Sequence, residues 1–271
     1  MSRSLWRVGV TLGLLALVPA VPRLADAGTS DRIGATFSLM AEEFIKAAQP
    51  LEALVIGMEG TAIFLDAGQQ AGVQPGQEFT VFRKGEAFLH PVTGKPMGRY
   101  EQVLGHAQVR RVQPQFSEAV FIPITDRPQP RPEDGARITR GRIKLAVTPV
   151  LDLTEQKNDV RRVPYLLASL LERSKRFQII DPLTVADTFA SGGAKVEEVL
   201  GRPEQAVRVA KNLEVAGWLV PMLIERRGVL YLDITWISAV TGTPLFSRRQ
   251  PLVSASSGEE QRFPWEPRPE D

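Results

Sequence analysis

The alternation of apolar and polar positions divides the chain into one amphipathic helix, a run of short strands and a segment of mixed helices and strands. Residues 31–48 form the helix, and its apolar face consists of Ile33, Phe37, Met40, Phe44 and Ala48. Ser30 or Asp31 suits the N-cap, and Pro50 ends the pattern. This stripe predicts that the helix packs on a neighbouring domain, with a partner-binding helix as the alternative.

Residues 51–142 have the pattern of an all-β domain. The runs rich in β-forming residues are 54–56, 61–65, 79–82, 99–104, 107–112, 119–124 and 137–139. Glu59-Gly60 is a hairpin signal, Gly98 and Gly105 bracket the fourth run, and the prolines of 127–135 exclude that stretch from a ladder. Short strands at this density predict a small closed barrel, which hides its own strand edges.

Residues 143–254 change to alternating helices and strands. Strand patterns occupy 143–147, 177–180, 218–225, 229–237 and 244–247, and helix patterns occupy 160–174, a segment starting at Asp181-Pro182, and 203–213. The order β-α-β-α-α-β-β-β predicts an α/β domain with a mixed sheet and helices on one face. The fold class is therefore two domains, a β-barrel followed by an α/β domain.

Both termini have sequence features of their own. Residues 1–27 combine a basic start, an apolar run at 8–18 and small residues before Ala27, which predicts a secretory signal cleaved after Ala27; an uncleaved anchor and a cut after Ala20 are the alternatives. The mature chain is then soluble and periplasmic, with no transmembrane segment. Residues 255–271 are rich in proline and charge and predict disorder, or a docking peptide around Phe263 and Trp265.

Charge and cysteine content exclude several kinds of partner and binding site. The chain has 271 residues, of which 43% are hydrophobic and 24% charged, so it can form real cores. Without residues 1–27 it holds 30 basic and 30 acidic residues, and this neutrality argues against a nucleic-acid partner. The absence of cysteine excludes disulfides, thiolate metal sites and a lipid anchor on cysteine.

No constellation in the sequence points to catalysis. The glycines of Asp66-x-Gly68-x-x-x-Gly72-Val73-x-x-Gly76 suit a structural loop. A phosphate-binding loop would end in Gly-Lys followed by Ser or Thr, and this segment lacks that ending. His90 falls in a turn signal and His106 at a strand start, so neither has the neighbours of a triad or a zinc site. We therefore predict no enzyme and no catalytic, cofactor-binding or metal-ligating residue.

Two segments resemble known families. Residues 56–139 resemble the SH3-like carboxy-terminal domain of flagellar assembly protein T, through Gly72-Val73 and Gly76, the turn Pro91-x-Thr93-Gly94, and a valine-rich strand ending near Phe116-Ser117. Residues 143–252 resemble a fold shared by the amino-terminal domain of TolB, the middle domain of flagellar assembly protein T and the curli secretion lipoprotein. The residues that carry this second resemblance are 144–149 (KLAVTP), 176–182 (RFQIIDP), Ala210-Lys211-x-Leu213 and Thr241-Gly242.

The resemblances imply a non-catalytic protein that assembles complexes in the cell envelope. We predict that envelope or appendage assembly proteins, or a second copy of the chain, bind to strand edges and to helix 31–48. The alternative is a peptidoglycan- or glycan-binding protein, in which Phe82, Phe88 and Tyr100 line a groove.

Overall fold

The computed structural model describes residues 28–193 and 195–254, which form a β-barrel and a helix-covered sheet. The predicted signal peptide with its cleavage after Ala27, and the tail 255–271 with Phe263 and Trp265, lie outside the described residues. Within those residues, no helix combines the length and apolarity needed to cross a membrane.

The predicted amphipathic helix is present as α1 (Thr29–Ala47). Every residue of its apolar stripe is buried, which confirms the packing role. The predicted capping residues are wrong, because Gly28 occupies the N-cap without a side-chain hydrogen bond. The hydroxyl of Ser30 instead donates to the carbonyl of Asp159 at 2.6 Å, which ties the start of α1 to the α/β domain.

Six antiparallel strands close into the barrel, in the order β1-β2-β5-β4-β3-β6. Their bounds are β1 (Leu51–Glu59), β2 (Ala62–Leu65), β3 (Glu78–Leu89), β4 (Pro96–Val112), β5 (Ser117–Pro123) and β6 (Gly135–Ile138). Residues 127–134 form a loop, as the prolines predicted. Successive side chains of each strand point alternately into and out of the barrel. The inward side chains form one apolar core that stabilises the closed barrel and holds Val55, Ile63, Leu65, Phe79, Val81, Val109 and Phe121.

One strand boundary in the barrel was predicted wrongly. The runs 99–104 and 107–112 belong to the single strand β4, and Gly105 does not separate them. A Cβ on Gly105 would stand 2.4 Å from the Ile122 carbonyl oxygen and 2.6 Å from the Phe121 ring. A glycine is required here because a neighbouring strand and its side chain approach closely. A turn would also place a glycine in the sequence, so the sequence alone does not distinguish the two causes.

The α/β domain contains a mixed sheet, as predicted, with six strands instead of the five in the predicted order. Its elements are β7 (Ile143–Val147), β8 (Leu151–Asp152), α2 (Val163–Arg173), β9 (Phe177–Ile179), α3 (Pro182–Ser191), α4 (Val196–Leu200), α5 (Pro203–Leu213), β10 (Gly217–Arg226), β11 (Val229–Ser238) and β12 (Pro244–Pro251). The strand order is β12-β11-β10-β7-β9, with β8 beside β10. Strand β7 pairs in parallel with β9 and with β10, and β8 pairs in parallel with β10. The pairs β10–β11 and β11–β12 are antiparallel. Strand β8 and helix α4 are additions to the predicted order.

Helices cover both faces of this sheet, so the predicted single helical face is wrong. Leu145 and Val147 pack in one core with α1 and α2, whereas Ala146 packs in the opposite core with α3, α4 and α5. The helices that were predicted for this domain already lie on opposite faces, with α2 on one and α3 and α5 on the other. Helix α1, which precedes the barrel in the chain, joins α2. A sequence pattern shows that a helix has one apolar face but does not say which sheet receives it.

Candidate functional site

The glycine-rich loop between β2 and β3 brings the barrel into contact with the α/β domain. Gly76 has a φ of 86°, and a Cβ on it would stand 2.0 Å from the carbonyl oxygen of Leu245 in β12. Its N–H donates to the Val109 carbonyl at 2.9 Å, which fixes the loop to the barrel. The residue must therefore be glycine for two reasons, a left-handed backbone and a backbone of the other domain in the place of a side chain.

A network of five side chains joins the two domains beside this contact. The Oε1 of Glu78 accepts from the Ser238 hydroxyl at 3.1 Å, and its Oε2 accepts from the Gln108 Nε2 at 3.0 Å. That nitrogen also lies 2.9 Å and 2.8 Å from the hydroxyl oxygens of Thr241 and Thr243. Gln108 is only 2% exposed, so these partners replace the water that its amide has lost. We call these five residues the interface network.

Arg176 binds the two linker segments that connect the barrel to the α/β domain. Its guanidinium donates to the backbone carbonyls of Ala48 after α1, Thr139 after β6 and Gly141 before β7. The side chain is 7% exposed, and burial lowers its pKa from the ordinary value. Three carbonyls around one buried cation make the linkers part of the folded interface instead of free connections.

A cavity of about 150 Å³ lies between the domains next to the interface network. Its lining is largely apolar, with Trp236, Phe246 and Ile138, and includes the polar residues His106 and Arg137. Burial lowers the pKa of His106, and the negative charge of Glu78 opposes that shift. The indole Nε1 of Trp236 has no hydrogen-bond partner among the described residues. The imidazole therefore favours its neutral form within a mostly apolar space.

The two histidines lie at different places in the β3–β4 hairpin, one in the turn and one inside a strand. His90 lies in the turn before β4, where its Nδ1 accepts from the backbone N–H groups of Val92 and Thr93, each at 3.2 Å. His106 lies inside β4 and not at a strand start, which corrects the prediction. In 28–193 and 195–254, no three His, Asp or Glu side chains are grouped so that they could hold a metal ion.

The outer half of the β3–β4 hairpin extends beyond the barrel as a two-stranded arm, residues 83–103. Strand β3 pairs with β6 only at 80–82, and β4 pairs with β5 only from Gly105 onward. Within the arm the two strands pair only with each other. The arm extends about 20 Å from the barrel, since each strand residue adds roughly 3.3 Å. Both of its outer edges thus carry backbone groups without a strand partner in the described structure.

Two ion pairs fix the base of the arm. On β3, the guanidinium of Arg83 contacts both carboxylate oxygens of Asp134 at 2.9 Å and 2.7 Å. This hydrogen bonding raises the pKa of Arg83. On β4, Glu101 accepts from Arg137 at 2.6 Å, and that guanidinium lies 4.3 Å from the centre of the Phe82 ring. These two clamps, one ion pair on each strand, fix the position at which the arm leaves the barrel.

Beyond these clamps the arm exposes apolar side chains to solvent. They are 53% to 86% exposed and comprise Phe88, Leu89, Val92, Met97 and Tyr100. Several large apolar side chains exposed on one segment of a folded protein mark a binding surface more often than single ones do. The sequence predicted the turn at 90–94 correctly but not the projection, because it showed no end to the barrel pairing at residue 82.

The arm changes the predicted contact surfaces. Helix 31–48 cannot offer its apolar stripe to a partner, because that stripe is buried against β7, β10, β11 and β12. Of the three aromatics that were predicted to line a groove, Phe82 is buried beneath Arg137. Phe88 and Tyr100 are exposed on the arm, so the three do not form one surface.

Comparison with known proteins supports one of the resemblances directly. Residues 60–127, which include the whole arm, match the family model described as flagellar assembly protein T, C-terminal domain. This match confirms the resemblance for a segment that is well under half of the 271 residues. Among curated proteins, none matches the chain significantly.

Several solved structures are similar to part of the chain at low sequence identity. The LpoB C-terminal domain from Escherichia coli is 16% identical and covers 43% of this chain and 86% of its own, with a TM-score of 0.36. Lipoprotein GNA1162 from Neisseria meningitidis is 14% identical and covers 42% and 82%, with a TM-score of 0.37. The PelC dodecamer from Paraburkholderia phytofirmans is 16% identical and covers 43% and 76%, with a TM-score of 0.28. Likeness at this level indicates neither a shared function nor shared partners.

Proposed function

We propose that this protein is a non-enzymatic assembly factor of the cell envelope, which binds other envelope or appendage proteins through the arm. The observation that carries the proposal is the exposure of Phe88, Leu89, Val92, Met97 and Tyr100 on a two-stranded projection. The arm lies inside the segment that matches flagellar assembly protein T, whose name describes an assembly role. The proposal includes export with cleavage after Ala27, a periplasmic location without a lipid anchor, and an SH3-like type of barrel.

The arm suits a protein partner better than a small ligand. Its unpaired edges offer backbone N–H and C=O groups to an incoming strand, and strand addition uses those groups for affinity. The exposed side chains then decide which partner fits. A projecting ribbon has no enclosed volume, whereas small-molecule sites are concave and bury most of their ligand.

Site-specific photo-crosslinking in cells tests this proposal. A benzophenone side chain at Val92, on the arm, is compared with one at Leu183, an exposed residue of α3 that is 55% exposed. We expect a discrete crosslinked protein from position 92 and none from position 183. The double substitution Phe88→Ser, Leu89→Ser should abolish that product while the protein stays folded and abundant.

Three results would contradict the proposal. Equal crosslinking from both positions would mean that the arm is not a selective surface. A product that survives the double substitution would mean that the apolar side chains are not required. Sedimentation with purified peptidoglycan that depends on Phe88 and Tyr100 would favour the glycan-binding alternative.

A further inference from the structure

A groove of about 670 Å³ lies along the junction between the domains, on the side of β12 and the end of α1. Its apolar floor is built from Val109, Leu245 and Phe246, and its walls include Pro75 of the glycine-rich loop. The volume is in the range of pockets that bury most of a drug-sized ligand. Strand β12 is the last strand of its sheet, so the groove follows an outer edge of the described fold.

The groove carries an excess of positive charge. Lys46, Arg110 and Arg248 line it, with Glu43 as the single acidic residue of the lining. Glu43 pairs with Arg248, whose guanidinium also lies 4.3 Å from the centre of the Phe246 ring, and Lys46 pairs with Glu42, which lies outside the lining. Arg110 contacts the neutral Gln108 at 3.4 Å and forms no ion pair with a described residue. A segment with acidic residues and large apolar side chains would complement this lining.

We propose that the groove binds the chain's own carboxy-terminal segment, residues 255–271. This segment contains Phe263 and Trp265 as apolar anchors. Its charged residues are five acidic ones, Glu259, Glu260, Glu266, Glu270 and Asp271, against Arg262 and Arg268. The net negative charge is opposite to that of the groove, and aromatic residues are the commonest anchors of protein interfaces.

The tether, which is the stretch of chain between Ser254 and the anchor Phe263, begins near the groove and is long enough to reach it. The backbone N–H of Val253 donates to the Thr36 hydroxyl at 3.0 Å, and the Arg32 guanidinium donates to the Val253 carbonyl at 2.8 Å. The chain therefore leaves the described structure beside the middle of α1. Lys46 is ten residues further along the same helix, about 15 Å at 1.5 Å per residue.

The segment must reverse direction to reach the groove, because β12 runs past it before the chain reaches Val253. Gly258 is well suited to such a turn. The nine residue-to-residue steps from Ser254 to Phe263 span up to about 30 Å when extended, roughly twice the distance along the helix. A tether of this length keeps its own anchors at about millimolar effective concentration, so that even a weak interaction is mostly occupied.

Paramagnetic relaxation in the full-length mature protein tests this inference. The sequence has no cysteine, so Arg268→Cys gives a single site for a nitroxide label. We expect strong broadening of the amide signals of Gln74, Arg110 and Ser247, which line the groove. Phe263→Ser with Trp265→Ser, and separately Arg110→Glu, should each reduce that broadening severalfold. The control Arg208→Glu, on exposed α5 across the sheet, should leave it unchanged.

A mixed sample identifies the occupant. Isotope-labelled chains without nitroxide are combined with unlabelled chains that carry it, so that broadening arises only between molecules. The inference predicts none there, and broadening of the same groove signals in this mixed sample would assign the groove to the tail of a second copy. Absent or uniform broadening in the first sample would overturn the inference. The arm variants should not alter any of these results, so failure here is distinguishable from failure of the proposed assembly role.

Discussion

The inner and outer halves of the β3–β4 hairpin have opposite surroundings although they are formed by the same two strands. The inner half, around Glu78 and Gln108, has barrel strands on both sides and joins the α/β domain through the interface network. The outer half, the arm at 83–103, has no other strand beside it. Apolar residues of the inner half are buried, as at Phe79 and Val81, whereas Phe88 and Leu89 are exposed.

This comparison shows that neither hydrophobicity nor β-propensity separates a structural strand from an exposed one. The local pattern of the two halves is similar, and the difference lies in whether neighbours satisfy the edges and cover the side chains. Stability should therefore depend strongly on the inner half and weakly on the arm. Partner binding should show the reverse dependence. The following substitutions test this division by comparing the domain junction, to which the inner half belongs, with the arm.

The largest expected effect is that of Gly76→Ala at the domain contact. The new Cβ would meet the Leu245 carbonyl at 2.0 Å, and backbone cannot move aside as a flexible side chain can. We expect a loss of about 3 kcal/mol in the free energy of unfolding in urea. Gly94→Ala is the matched control, since it has a φ of 64° and nothing within 4 Å of the added Cβ. It should cost about 1 kcal/mol, and equal losses would refute the close-approach explanation.

The second expected effect is that of Arg176→Met. Methionine fills similar space but leaves the carbonyls of Ala48, Thr139 and Gly141 without their donor. We expect a loss of about 2 kcal/mol, because hydrogen bonds to a charged group are worth more than neutral ones. Arg161→Met removes only an exposed pair with Asp159 and should change stability within the error of the urea titration. A loss no larger at 176 than at 161 would show that the linkers are not held.

A smaller effect should follow from pH. Burial lowers the pKa of His106 below the ordinary value of 6.5 in the folded state, with Glu78 opposing. As pH falls from that value, the unfolded chain takes up the proton first, so stability is full above it and declines towards the folded-state pKa. His106→Gln should flatten this part of the stability profile. An unchanged slope in the variant would assign the pH dependence to other groups.

The smallest effect on stability is expected in the arm. Phe88→Ser leaves the barrel core intact, because the side chain is 58% exposed. We expect a change within about 0.5 kcal/mol, although the same substitution should weaken partner crosslinking at Val92. A loss comparable to that at Gly76 would mean that the arm packs on the fold, and the division between the two halves would be wrong.

Much of the fold could be predicted from local patterns. The stripe of α1, the hairpin at Gly60 and the mixed sheet were correct, because each depends on spacing within one segment. The position of helices on both faces was missed, since an apolar stripe does not show which face of the sheet a helix covers, and α2 and α3 cover opposite faces. The role of Gly105 was missed for a similar reason. Its cause is the Phe121 ring, a residue sixteen positions away.

The candidate site was harder to predict than the fold. The turn after Leu89 was visible in the sequence, but the exposure of Val92 and Met97 depends on where β5 and β6 stop pairing. The interface network was also invisible, because Gln108 and Thr241 are ordinary polar residues until two domains meet. Pairs that are far apart in sequence carry no local periodicity, so single-sequence reasoning had no signal for them.

The hydrogen bonds from the Arg176 guanidinium to the carbonyls of Ala48 and Gly141 have a consequence for the evolution of the chain. Because one side chain reaches both carbonyls, the polypeptide leaves α1 and returns towards β7 at adjacent points. The whole barrel therefore occupies what would otherwise be a short connection inside the α/β domain. A single genetic insertion could have added it, and a single deletion could remove it, without rerouting any helix or strand of the host domain.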